Sequence, residues 1–503
     1  MQMASFAMAG ASLPAAAGPW GVPGLRPRQI GNGASGEASG GGDTSGGRGG
    51  RRPNVLVLLT DDQTYRSIHM LGNAQIRTPN LDRLAGRGTT LSHCFNQGGW
   101  HGAICMASRA MINTGRHLNQ IVTPHDAGAA GWLQTDVPLF GQHFRDHGYN
   151  TFGTGKWHNG GDSFARSFSH GDAVFLGGMH PFSDERAGGG DIILGHDHPR
   201  LQHYDGQAGT YEQYEPGAWS TDAFADAAID FLDGHGQSPD PFMMYVSFTA
   251  PHDPRHAPAD FLDMYKPEDI ELPPNFLPEH PFDQGDARIR DEVLLGFPRE
   301  PADVQREIAI YYAMITHIDA RIGDIFEKLD AVGQADNTYI VFTSDHGLAV
   351  GQHGLMGKQN QYDHSVRTPM IWAGPGIAPG ESTEQFAYIH QTYATMCEFA
   401  GLETPAHIQA PSLGPVIRGE AEGYETIFGM YRDLQRMIRT DRHKLIRYPH
   451  NGELQLFDMQ ADPWEIADLA EDPANAQLIR DLDAKLRAWQ PIVGDALELA
   501  ALG

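Results

Sequence analysis

Three aspartates, one cysteine and one arginine carry the first chemical signal in this sequence. Asp61 and Asp62 close the stretch NVLVLLTDD, Asp345 closes YIVFTSD, and Cys105 and Arg109 lie in GGWHGAICMASRAMINTGRH. Carboxylates brought together repel unless a divalent cation or a shared proton compensates, and hard cations such as calcium and magnesium take oxygen ligands. Asp61-Asp62 alone reads as a solvated turn or a helix cap. A third aspartate after another apolar run shifts the reading to a cation site. His346 is either a nitrogen ligand, which moves the preference toward manganese, or a group that supports a ligand. Cys105 and Arg109 stand at i and i+4 and share a face on a helix. Gly102 and Ala103 precede them, and Gly115 sits where a helix stop belongs. A sulfur at a helix N-terminus feels the positive end of the dipole, which lowers a thiol pKa and attracts oxyanions. By itself, such a cysteine reads as a buried inert residue.

Four apolar runs must position these groups. NVLVLL precedes Thr60-Asp61-Asp62, YNTFGT precedes Gly155-Lys156-Trp157-His158, FMMYVSF precedes Ala250-Pro251-His252, and TYIVFT precedes Ser344-Asp345-His346. Each reads as a buried strand, and helical periods lie between them. In DVQREIAIYYAMITHIDARIGDIFEKLDAVG one stripe carries Ile308, Tyr311, Ile315, Ile318, Ile322, Ile325 and Leu329, with Gly333 as a stop. Alternating strands and helices predict an α/β fold with a sheet covered on both faces, whose ligand crevice lies beyond the carboxyl ends of the strands. Asp61, Asp62, Lys156, His158, His252, Asp345 and His346 all fall there. Lys156 and His158, at i and i+2, point to one side of an extended segment.

Residues 159–220 and the Pro-rich 254–300 show little periodicity and read as long loops rimming a site. From about 424 the runs ETIFGM, QRMIRT, HKLIRY and ELQLFD predict an antiparallel meander, followed by a helix carrying Ile479, Leu482, Leu486 and Trp489. The expected organisation is a segment over 1–52, a catalytic domain over 53–420 and a C-terminal subdomain over 421–503 with a four-stranded sheet and a helix.

The formal net charge of −27 argues against a nucleic-acid or anionic-membrane partner, since either needs a basic face. An anionic small substrate is compatible only with cations gathered locally. No run approaches a membrane span. The start, with Ala15-Ala16-Ala17, resembles a degenerate signal peptide without a basic n-region, pointing to a periplasmic or secreted protein with a cytoplasmic one as the alternative. Residues 30–52 are a Gly/Ser linker that cannot bury a core. The three cysteines, Cys94, Cys105 and Cys397, have no metal-like spacing and leave the redox compartment open.

CMASRAMINTGR resembles the sulfatase signature, Cys-x-Pro-Ser-Arg followed by Thr-Gly-Arg. NVLVLLTDDQ and RTPNLDRLAGRGTTLSHCF resemble that family's opening block, and GTGKWH, APHDP, SDHGLAVGQHGLMGK and SVRTPMI match later blocks in order, from Asn54 to about Pro473. The resemblance implies an alkaline-phosphatase-like fold, a large mixed sheet flanked by helices, and sulfate-ester hydrolysis. It implies that a maturase oxidises Cys105 to formylglycine, whose hydrate is the nucleophile. Asp61, Asp62, Asp345 and His346 match the ligands of one divalent cation, calcium first with magnesium or manganese as alternatives, and the residue at 105 completes the set. Arg109 matches the arginine that steadies the formylglycine hydroxyl, and His158 the base that breaks down the enzyme-bound intermediate. Lys156, His252 and Lys358 match groups that bind sulfate oxygens, and His252 or Lys358 would protonate the departing alcohol.

Two positions depart from the pattern. Ala107 stands at the signature proline, which the fold tolerates because alanine is a good helix former, and which suits a radical-type maturase better than the aerobic one. His346 stands where many members have asparagine; the Asp-His-Gly version also occurs among sulfatases and among related phosphonate and phosphodiester hydrolases. The leading reading is therefore a formylglycine sulfatase acting on a sulfated carbohydrate, the sugar resting on analogy of fold and on the polar rim loops. The alternatives are a phosphonate monoester or phosphodiester hydrolase of the same superfamily and a non-catalytic sulfated-glycan binder. A further cluster, His180, His196, Asp197, His198 and His203, reads as solvated loop histidines, with a second metal site as its alternative.

Overall fold

Every residue of the strand Asn54–Thr60 is buried, which is what a strand covered on both faces requires. Its side chains alternate between two cores: Leu56 and Leu58 join one, Val55, Val57 and Leu59 the other. The computed structural model describes residues 26–27, 51–121, 133, 136–179, 195–207, 209–235 and 238–502. The expected signal segment and linker therefore lie almost wholly outside the described residues.

The four expected strands are adjacent and parallel, in the order Thr338–Ser344, Asn54–Thr60, Phe242–Ser247, Asn150–Lys156. They form the centre of a twelve-stranded sheet, made mixed by antiparallel neighbours such as Arg367–Ala373 and Thr89–Phe95. The helix Pro301–Ala331 covers one face and buries the whole predicted stripe, from Ile308 to Leu329. The helix Gln391–Ala400 contributes Tyr393 and Met396 to the core on the other face. Each fully buried aliphatic side chain contributes about 1.5–3 kcal/mol, so these two layers fix where the strand ends lie.

Residues 159–220 are not only loops. They hold a helix, Gly161–Ser167, and three strands, His170–Phe175, Leu201–Tyr204 and Tyr211–Tyr214, which extend the sheet at its edge. Four-residue edge strands with exposed faces leave too few apolar positions for a period to show. Residues 254–300 keep two four-residue helices, Ala259–Leu262 and Arg290–Val293, in otherwise irregular chain.

The C-terminal meander comprises Ile427–Tyr431, Gln435–Arg439, His443–Tyr448 and Glu453–Asp458, packed under the helix Ala476–Val493 through Ile479, Leu482 and Leu486. This sheet has five strands rather than the expected four. The fifth is Gly98–Gly99, parallel to Ile427–Tyr431, and two glycines give no periodic signal. A Cβ at Gly98 would lie 1.8 Å from the carbonyl oxygen of Met430, so glycine is required for this close approach. The pairing anchors the chain just ahead of Cys105 to the C-terminal sheet.

Candidate active site

The registers Ser344 to Thr60, Leu59 to Ser247 and Gly155 to Ser247 align the strand ends, so the residues that follow converge on one edge. Asp62 takes a left-handed φ of 69°, and Tyr311 locks the turn, its hydroxyl donating to the Asp62 carbonyl at 2.7 Å and accepting from the Thr64 N–H at 2.9 Å. Cys105 is the second residue of the helix Ile104–Thr114, which ends at Gly115 in left-handed conformation, and it is 2% exposed.

Asp61, Asp62, Cys105 and His346, all buried, each present one ligand atom within 4.8 Å of the others. Asp345 adjoins them: its Oδ1 accepts from the Asp62 N–H at 3.3 Å and lies 3.6 Å from His346 Nε2. Three cations surround the three carboxylates. Lys156 donates to Asp61 Oδ2. Lys358 donates to both Asp62 oxygens, at 2.7 and 3.0 Å, and to Cys105 Sγ at 3.4 Å. Arg109 donates through Nε to Asp345 Oδ2 at 3.0 Å and through one terminal nitrogen to the Lys156 carbonyl and Ser247 Oγ, each at 2.6 Å. Its other terminal nitrogen has no hydrogen-bond partner among the described residues and lies 3.9 Å from Asp61 Oδ2.

Several atoms here are held ready for a cation. Among the described residues, Asp61 Oδ1 and His346 Nε2 are buried without hydrogen-bond partners. His346 Nδ1 donates to the Gly347 carbonyl at 2.9 Å, which fixes the ring and aims Nε2 at Asp62 Oδ1, 3.2 Å away. The electrostatics agree. Burial, with Asp61 and Asp345 nearby, pushes the Asp62 carboxyl up to about 7 despite Lys358 and His346. Burial opposes the charge on His346, yet Asp345 and Asp62 push it up to about 9. Burial also works against Asp61, but Lys156, His252, Arg109 and Lys358 hold it well below the usual carboxylate range. The donor set, carboxylates with one imidazole nitrogen, fits calcium, magnesium or manganese.

Two histidines flank the cluster. The chain leaves the extended conformation at His158, whose φ is 54°, so the i, i+2 argument ends at Lys156. Among the described residues His158 Nδ1 is buried without a partner, and burial, with Lys156 and Arg109, holds the ring neutral. A Cβ on Gly178 would lie 2.6 Å from His158 Nε2, so the absence of a side chain there makes room for the ring. His252 donates from Nδ1 to the Asp253 carbonyl at 2.8 Å, leaving Nε2 3.9 Å from Asp62 Oδ2.

Residues 53–402 match the sulfatase family, and residues 351–491 match the C-terminal region of N-sulphoglucosamine sulphohydrolase. The chain belongs to the sulfatase family. It is a sulfuric ester hydrolase. It is 28% identical to an ulvan-active sulfatase of Formosa agariphila, over 88% of this chain and 82% of the relative. It is 26% identical to an N-acetylglucosamine-6-O-sulfatase of Bacteroides thetaiotaomicron, over 83% of this chain and 82% of that one. A protein solved in complex with its substrate D-glucosamine-2-N,6-O-disulfate superposes with a TM-score of 0.70 at 24% identity, covering 88% of this sulfatase and all but 1% of that chain. This likeness shows the shared alkaline-phosphatase-like fold.

The sequence-predicted site residues thus gather beyond the carboxyl ends of the central strands, Cys105 and Arg109 from a helix and Lys358 from a loop. Sequence reasoning missed others in the same sulfatase site. Ser247 and Tyr311 sit inside apolar runs and gave no polar signal. His196, expected in a solvated loop, is buried instead: its Nε2 donates to the His252 carbonyl at 2.9 Å and its Nδ1 meets Ser220 Oγ at 3.0 Å. His198 and His203 are exposed, beside Asp197 and Asp172. His180 lies outside the described residues. Cys94 and Cys397 are buried free thiols whose burial pushes each up to about 12, which leaves Cys105 as the cysteine at the site.

Proposed function

We propose that this sulfatase hydrolyses the sulfate ester of a carbohydrate, using a formylglycine made from Cys105 and one divalent cation held by Asp61, Asp62, Asp345 and His346. The observation that carries the reading is the meeting of Asp61, Asp62, Cys105 and His346 within 4.8 Å, with Lys156, Arg109 and Lys358 against them. Cys105 Sγ stands in for the oxygen of the hydrated aldehyde. A cation there would polarise a sulfate oxygen, and the aldehyde hydrate would supply the attacking oxygen.

The chain's own side chains do the rest. Lys358 and Arg109 bring positive charge to residue 105 and its carboxylate neighbours. Lys156, Lys358 and His252 receive the sulfate oxygens, which is how a chain of net charge −27 attracts an anion. His158, neutral and without a partner at Nδ1, is placed to take a proton. His252 is also neutral in the free site, because burial and Lys358 hold it well below its ordinary value. It takes a proton as the anion arrives and gives it from Nε2 to the departing oxygen. All these groups are buried, so their charges act on the anion at a lower effective dielectric than in water.

The relatives named for ulvan and for N-acetylglucosamine 6-O-sulfate support a sugar. Ala107 in the signature supports a radical-type maturase as the partner that modifies Cys105. The test is turnover of defined sulfated mono- and oligosaccharides with and without chelator, beside p-nitrophenyl sulfate, phosphate and phosphonate. The reading expects a sulfated sugar to be turned over, chelator to stop it, and sulfate to outpace the phosphorus esters. Faster phosphonate turnover with no sulfated sugar consumed would reassign the enzyme.

A further inference from the structure

Three consecutive charged residues in the Pro-rich rim reach three catalytic loops. Arg290, Asp291 and Glu292 begin the short helix Arg290–Val293, and Asp291 and Glu292 are buried. Arg290 grips the Asp253 carboxylate with both terminal nitrogens, at 2.5 and 3.1 Å. That carboxylate is held 3.4 Å from His252 Nδ1. Asp291 accepts from Gln359 Nε2 at 2.8 Å, and the same amide donates to the Gly102 carbonyl at 2.9 Å, three residues ahead of Cys105. Gln359 Oε1 in turn accepts from the Lys358 N–H at 3.1 Å. Glu292 accepts from the backbone N–H groups of Met356 and Gly357, each at 2.9 Å, and is held by Arg299 at 2.7 Å.

Burying charges is a poor way to gain stability, since apolar packing of the same volume serves as well or better. What such a network supplies is fixed geometry, because each bidentate or backbone contact is directional. Here one contact from each of the three ends on a residue next to a side chain of the site: Asp253 beside His252, which protonates the leaving oxygen, and Gln359 and Gly357 beside Lys358, which binds the sulfate. Arg290, at 36% side-chain exposure, is the outermost of the three.

We propose that Arg290, Asp291 and Glu292 form a clamp of positioning residues, which holds the His252 and Lys358 loops at the separation needed to deliver a proton to the leaving oxygen. The inference rests on the role given above to His252. A clamp of this kind matters most when the leaving group needs protonation. An aryl sulfate departs as a stable phenolate, whereas an alkyl or sugar sulfate must be protonated as it leaves.

The experiment compares kcat on p-nitrophenyl sulfate and on a simple alkyl sulfate in metal-loaded, matured enzyme. R290Q is expected to lose about 30-fold on the alkyl ester and less than about 3-fold on the aryl ester, against the 10²–10⁴ that a positioned acid supplies. R290K restores part of the alkyl loss by keeping one donor. D253N, which keeps the shape, shows the same split and serves if R290Q does not fold. Equal losses on both esters, or none on either, overturn the clamp. H252A separates the two readings. A leaving-group-dependent loss in H252A with a flat R290Q sinks the clamp alone, while equal losses in H252A overturn the assignment of His252 and the clamp with it.

Discussion

The ammonium of Lys358 lies 3.4 Å from the sulfur of Cys105, a residue 253 positions earlier in the chain, and 2.7 Å from Asp62 Oδ1. One cation thus touches both Cys105 and a carboxylate of the cluster that could hold a metal ion. Its charge is secured by Asp62, whose pull, with that of Cys105, outweighs burial and keeps the pKa well above the ordinary lysine value. Lys358→Ala is therefore expected to lower kcat/KM on p-nitrophenyl sulfate by about 10²–10³, the scale of a lost preorganised donor. A loss below tenfold would remove Lys358 from the machinery.

The carboxylate cluster makes a separate prediction that needs no turnover. Calcium added to the chelated protein should raise its melting temperature in the wild type and not in Asp61→Asn or Asp345→Ala, because a ligand that binds only the folded state stabilises it by mass action. Both variants, and Cys105→Ala, should also abolish turnover. An unchanged calcium response in Asp61→Asn would contradict the assigned ligand set.

Tyr311 offers a finer cut. Removing its hydroxyl leaves the Asp62 carbonyl and the Thr64 N–H, both inside the site, without their shared partner. Tyr311→Phe is expected to weaken calcium binding about 10–100-fold, as for other groups that orient a ligand, while the fold keeps its packing. Titration of calcium against the melting temperature reads this directly, and an unaltered midpoint refutes it.

Much of this arrangement was legible because apolar runs ending in polar residues mark strand ends. Asp61, Asp345, Lys156 and His252 follow from that rule alone. That they share one crevice also followed from the α/β pattern; which strand neighbours which, and in what register, did not, since order and register depend on packing of the Pro301–Ala331 helix and its partners. That Cys105 and Arg109 join them needed the likeness of Cys105-Met106-Ala107-Ser108-Arg109 to a known signature. Gly98–Gly99, Tyr311, His196 and the Arg290–Glu292 clamp escaped for one reason: each acts through directional contacts to residues distant in the chain, and such contacts leave no local period. The edge strands after Gly161 escaped because they are short and half exposed.

A set of buried neutral histidines predicts acid lability. Burial pushes His117 and His196 down to about 4 and His353 to about 3, from an ordinary value of 6.5. His364 and His390 lie well below it for the same reason. Below pH 6.5 the unfolded chain binds protons that the fold does not, so their contribution to stability is complete above that pH and is lost as pH falls toward 4, at up to about 1.4 kcal/mol per pH unit for each group. The melting temperature at pH 5 should fall on the order of 10 °C below that at pH 7.5. A flat profile across that interval would contradict the neutral, buried state of these rings.

The central claim is that Cys105 becomes the reacting group beside the Asp61, Asp62 and His346 cluster. Intact mass of the active protein, with fragmentation across residues 98–117, tests it most directly. Conversion of thiol to aldehyde lowers the mass at Cys105 by about 18 Da, and sulfatase turnover is expected to scale with that converted fraction. Full turnover by protein carrying only the unmodified thiol would contradict the account.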